Sequence, residues 1–192
     1  MHNVHIERNV ASVFDPTIYD NLKTVLEGAC YDLDAEGEFL VTGREDLVDL
    51  ASYSRTFRLR VRRGEGRCEA AVALISDLAD FAGELRRVHL AGEPPGARVQ
   101  LELQFPLSVS GRRGEIEAYL AEQWEQSFRM EFELVTPWLP GASGGIPPAA
   151  GRCLVRMTTS GKLDEGDAEG VEDIGRRLAL TLSHMERLVE QG

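Results

Sequence analysis

The stretch Arg55-Thr56-Phe57-Arg58-Leu59-Arg60-Val61-Arg62-Arg63 alternates between apolar and polar side chains. Phe57, Leu59 and Val61 fall on one side, and Thr56, Arg58, Arg60 and Arg62 on the other. Successive side chains of an extended chain point to opposite faces, so a period of two predicts a half-buried strand. One face enters a core while the other carries a row of arginines. Gly64-Glu65-Gly66 then reads as a tight hairpin loop. Arg67 follows it, and the nearly continuous apolar run 68–75 returns as a second strand. Upstream, Thr42-Gly43-Arg44-Glu45 has capping-box spacing, which predicts a short helix over 45–52 after a short strand at 39–41.

Farther out, Val4 and Ile6 alternate with His5 and Glu7, so 4–10 reads as a strand. Asp15-Pro16 is a helix start, a capping carboxylate followed by proline at the first helical position. The helix spans 16–31, with Ile18, Leu22, Val25 (or Leu26) and Ala29 as its apolar stripe. Ser76 is read as the cap of a helix reaching residue 88, with Leu78, Phe81 and Leu85 turned inward. Residues 92–96 form a loop rich in Gly and Pro. Val99, Leu101, Leu103 and Phe105 alternate with polar residues in a strand over 97–107. After a turn at 111–114, a helix over 115–126 carries Ile116, Tyr119, Leu120 and Trp124. Residues 128–135 form a strand with Phe128, Met130, Phe132 and Leu134 inward. A strand over 152–158 and an acidic helix approach at 164–169 follow. In 171–191, Val171, Ile174, Leu178, Leu182, Met185 and Val189 recur at spacings of three and four, the mark of an amphipathic helix.

Together these elements predict an α+β fold: a mainly antiparallel sheet with helices on one face and a long C-terminal amphipathic helix. One-sided alternation favours antiparallel strands, because buried parallel strands are apolar on both sides. The expectation is a single domain over 1–192, with 1–52 as a candidate N-terminal subregion.

The 192 residues carry a formal net charge of −11. Such a field repels phosphate and argues against nucleic acid as a partner. The charge is uneven: residues 52–67 hold six Arg and one Glu, a basic patch on an acidic body. Cys30, Cys68 and Cys153 are odd in number, widely spaced and flanked by apolar residues, which predicts free buried thiols in a reducing compartment. The first residues lack the apolar core of a signal peptide, and no run of 18 apolar residues occurs, so a cytoplasmic protein with no membrane partner is expected.

Guanidinium groups suit carboxylate and phosphate, so Arg58, Arg60, Arg62 and Arg67 are the candidate anion-binding residues. The competing reading is cross-strand pairing, with Glu102, Glu131 and Glu133 as partners. Residues 137–151 contain four prolines and four glycines, and Trp138 at their base is a candidate ligand contact. Its alternative role is to anchor the loop. The acidic residues at 164–173 lack the calcium-loop pattern and suit the first turn of a helix. His2, His5, His89 and His184 show no metal-ligand spacing, so no metal site is expected. Gly161-Lys162 lacks the remainder of a phosphate loop.

No catalytic or cofactor motif emerges, and no cofactor is expected. The leading expectation is a non-catalytic cytoplasmic binding or adaptor protein, homodimeric, with an unknown protein partner. The alternative is a small-molecule-binding protein or enzyme acting on a phosphorylated or carboxylated ligand through the arginine-rich strand.

Overall fold

The computed structural model describes residues 18–86, 95–124, 128–136 and 151–191. The expected strand at 4–10, the Asp15-Pro16 helix start, His2, His5, His89 and Trp138 lie outside the described residues.

Among the described residues, six strands form one sheet, β1 (Leu40–Asp49), β2 (Ser54–Arg62), β3 (Glu69–Ser76), β4 (Arg98–Pro106), β5 (Phe128–Val135) and β6 (Arg152–Thr159). Their order is β1-β2-β3-β4-β6-β5, and every pairing is antiparallel. The helices are α1 (Ile18–Ala35), α2 (Leu78–Arg86), α3 (Arg113–Trp124) and α4 (Ala168–Glu190). The α+β expectation is met. Phe57, Leu59 and Val61 join Leu22 of α1, Leu120 of α3 and Leu178 of α4 in one buried cluster. Each apolar residue of the predicted α4 stripe is buried in it. Among the described residues, no helix is long and apolar enough to cross a membrane.

The largest correction concerns 45–52. It is not a helix; it completes β1 and turns into β2. The capping-box spacing loses to the neighbouring strand, because Glu45 lies opposite Arg58 in the register. Thr42 Oγ1 donates to the Arg60 carbonyl rather than capping anything. On β1, Arg44 reaches Glu27 and Asp46 pairs with Lys23, both on α1, while Glu45 serves the opposite face. Both faces of this edge strand are therefore polar, which erases the alternation of apolar and polar residues that marks a strand.

Smaller differences have similar causes. Helix α1 runs to Ala35, beyond the expected residue 31. It stops where Gly37 takes a left-handed φ of 78° and Glu38 N donates to Leu33 O at 3.0 Å, a Schellman-type end. The cap of α2 is Asp77, not Ser76. Asp80 N donates to Asp77 Oδ1 at 3.0 Å and Asp77 N to Asp80 Oδ2 at 3.1 Å, while Ser76 stays buried in β3. Asp80, 1% exposed, is neutralised by Lys162 at 2.6 Å. Leu78 and Phe81 face outward rather than inward. The expected turn at 111–114 is instead the junction of a 3-10 helix (Leu107–Arg112) with α3. Leu134 shares the inward row of β5 but is 66% exposed at the sheet's edge. The acidic residues before α4 form a capping box, with Asp164 Oδ1 accepting from Gly166 N at 2.7 Å and Asp167 Oδ2 from Asp164 N at 2.8 Å.

Candidate functional site

The arginine row of β2 divides. Arg58 Nη1 lies 3.2 Å from Glu45 Oε2, and Arg60 Nη2 lies 2.7 Å from Glu45 Oε1. One carboxylate on β1 thus serves both guanidinium groups. The glutamates proposed as their partners go elsewhere: Glu102 and Glu133 flank Arg156 at 3.8 and 3.2 Å, and Glu131 pairs with Arg129 at 3.3 Å. Cross-strand pairing is the fate of Arg58 and Arg60, with Glu45 in place of the expected partners. The structure does not bring these two into a site with Arg67.

The other end of the strand differs. Arg62, Arg63, Arg67, Arg152 and Arg187 have no carboxylate within ion-pair distance among the described residues. Every other arginine whose side chain is described has one at 4.0 Å or closer. The unpaired guanidinium groups gather where β2 turns into β3. Arg67 and Arg152 line one cleft of about 640 Å³, together with Glu69, Gln104, Phe105, Pro106 and Ser108. Arg63, Arg67 and Arg187 line a neighbouring hollow of about 510 Å³ with Glu65, Glu186 and Glu190. Arg67 and Gly66 belong to both. The first cleft has an excess of one positive charge in a chain of net charge −11, whereas the second balances. Arg62 sits beside this end, opposite Glu69 in the register, and its Nε is enclosed without a hydrogen-bond partner.

The β2–β3 turn is held from outside by α4. Gly64 adopts a left-handed φ of 48°, and Gly66 N closes the turn on Arg63 O at 2.8 Å. Cys68 N donates to Glu186 Oε1 at 2.6 Å, Arg67 Nη2 donates to Val189 O at 3.1 Å, and Arg63 bonds Ser183. A side chain on Gly66 would collide with Glu186 and lie 2.6 Å from the Arg63 carbonyl oxygen, so the position must stay bare. These contacts point Arg67 between the last turn of α4 and the cleft. Across the cleft, Arg152 opens β6 opposite Pro106 of β4.

Other candidates have structural roles. His184 stacks on Tyr119 with ring centroids 3.8 Å apart. Burial and then the Arg187 charge hold it below its ordinary value. All three cysteines are free and buried, and burial pushes the Cys30 thiol up to about 12.

Of the four arginines named from the sequence, Arg67 lines the cleft, Arg62 adjoins it, and Arg58 and Arg60 do not take part. Sequence reasoning missed Arg63, Arg152 and Arg187. Arg63 ends the same alternating stretch and could have been included. Arg152 and Arg187 lie more than 80 residues farther along and carry no local signal. Compared with models of known families, with curated proteins and with solved structures, the chain matches none.

Proposed function

We propose that this chain is a binding protein for a small anionic molecule, held by its carboxylate or phosphate between Arg67 and Arg152. The observation that supports this reading is the convergence of unneutralised arginines on one cleft in a protein rich in carboxylates. Away from this end of β2, every arginine whose side chain is described has a carboxylate at 4.0 Å or closer. A guanidinium offers several donors in a fixed fork that matches carboxylate and phosphate oxygens. Gln104 and Ser108 add neutral polar groups, and Phe105 and Pro106 an apolar wall. The size of the cleft suits a compact metabolite. Glu69 disfavours a ligand with charge spread over its whole surface and favours one with a single anionic end.

The test is a thermal-shift screen of phosphorylated and carboxylated metabolites on wild type, an Arg67→Ala/Arg152→Ala variant and an Arg58→Ala/Arg60→Ala variant. A ligand at 100 times its dissociation constant adds about 2.7 kcal/mol of stability. The expected result is a shift in wild type and in the Arg58/Arg60 variant that disappears in the Arg67/Arg152 variant. A shift that survives loss of Arg67 and Arg152 overturns the assignment.

A second reading, protein binding, is favoured by exposed apolar side chains at the opposite end of the sheet. Leu47, Val48, Leu50 and Tyr53 surround the β1–β2 turn, and Leu78 and Phe81 open α2 nearby. Tyr53 takes a left-handed φ of 54°, a conformation uncommon outside glycine. Exposed apolar groups that cluster in this way mark interaction surfaces.

A further inference from the structure

Strand β1 is an edge of the sheet; among the described residues it pairs with β2 alone. An edge strand presents a row of amide and carbonyl groups to any strand that can align with it. The other edge, β5, carries Arg129, Glu131 and Glu133 on its outer face. Strand β1 is built differently. Its register places Arg44 and Asp46 on the face shared with Leu59 and Phe57, and Gly43, Glu45 and Leu47 on the face shared with Arg60, Arg58 and Thr56.

The order Arg44-Glu45-Asp46 is self-complementary. An antiparallel second copy with its two-fold axis at Glu45 sets Arg44 against Asp46 of that copy, twice. Moving the axis to Arg44 or Asp46 sets like charges face to face, and moving it to Leu47 sets Glu45 against Asp49. The axis at Glu45 alone joins opposite charges. Its own close pair, the two Glu45 carboxylates, is already met in each chain by Arg58 and Arg60. The same alignment sets Leu47, which is exposed, over Gly43 of the other copy. A Cβ at Gly43 would lie 3.6–3.7 Å from the Arg60 stem, so the bare glycine leaves that stem open to a partner's apolar side chain.

We infer that β1 pairs antiparallel with β1 of a second copy of this chain, about a two-fold axis at Glu45. The product is one continuous sheet with both helix layers on the same side, a closed isologous dimer. A single strand pair falls at the small end of stable interfaces, so the dimer dissociates on dilution.

Sedimentation of the full chain over a wide concentration range tests this, with Arg44→Asp and Asp46→Arg as single variants. Each variant sets like charges across the axis twice and should weaken self-association by about tenfold or more. The two variants mixed in equal amounts should re-form the dimer, because in the mixed pair every such position again carries opposite charges. Recovery in the mixture also shows that both variants are folded. A wild type that stays monomeric at every concentration overturns the inference, whether residues 1–17 of the same chain or another protein cover the edge. Dimers that persist in both single variants, or a mixture that fails to associate, overturn it too.

Discussion

The two ends of β2 are built from the same residue type, and their arginines meet opposite fates. Toward the β1–β2 turn, Arg55 is paired with Asp20 at 2.9 Å, and along the middle of the strand Arg58 and Arg60 share Glu45. Toward the β2–β3 turn, Arg62, Arg63 and Arg67 have no carboxylate partner among the described residues. The difference lies in the neighbours. At the first end α1 and β1 bring Asp20 and Glu45 against the strand. At the second, the end of α4 brings the Val189 carbonyl and Ser183, and the carboxylate of its Glu186 accepts from the Cys68 amide instead. A carboxylate committed to a main-chain N–H leaves the guanidinium groups around it available. The same arginine is structural where a carboxylate reaches it and a candidate for ligand binding where none does.

A core substitution strikes what both ends share. Leu59 is buried on the inner row of β2, and Leu59→Ala should cost about 2–5 kcal/mol in urea unfolding. Both ends should then loosen together, as read by hydrogen exchange along β2. Loss of protection at one end only would mean that the ends are held independently.

Glu186→Ala affects the unpaired end alone. It removes a charged acceptor from the buried Cys68 amide, at a cost of about 1–3 kcal/mol. Anion binding at Arg67 should weaken with it, because the turn loses its anchor on α4. Unchanged affinity would show that Arg67 is positioned by its Val189 contact alone.

Glu45→Gln sharpens the contrast with less energetic effect. The ion pairs it removes are partly exposed, so stability should change by less than about 1 kcal/mol. The paired end should come to resemble the other, with weak, salt-sensitive anion binding at Arg58 and Arg60 measurable by phosphate titration. An inert Glu45→Gln surface would mean that free guanidinium groups without a concave wall do not suffice.

The smallest effect is one of pH. His184 lies beside Ser183 and Arg187, and its folded value is held below the ordinary 6.5. The unfolded chain therefore binds a proton that the folded chain resists. This contribution to stability is fully present above pH 6.5 and is lost as pH falls through the lower folded value. In thermal melts over that range, His184→Gln should flatten the dependence, while Arg58→Ala should leave it intact.

The legible part of the fold is local in origin. β2, β4 and the inward row of β5 announce themselves by a period of two, and α4 by spacings of three and four, because one side of each is dry. β1 was hidden because charged groups lie on both of its sides, drawn there by Lys23 and Glu27 of α1 and by Arg58 and Arg60 of β2. The outward Leu78 and Phe81 followed helical spacing, but spacing does not say whether a covering element exists. Arg67 was legible as part of a basic stretch. Arg152 and Arg187 were not, because their convergence on Arg67 comes from strand pairing and from the packing of α4.

Taken alone, the sequence determined which segments have one apolar side, where the tight turn at Gly64–Gly66 falls, and that a basic strand lies in an acidic chain. Those properties belong to residues within a few positions of one another. Only the tertiary structure decided which arginines are neutralised and which remain available. That outcome depends on a carboxylate 13 residues before Arg58 and on a helix end about 120 residues after Arg67. Electrostatic pairing acts across space at a few ångströms, and only the folded chain sets those distances.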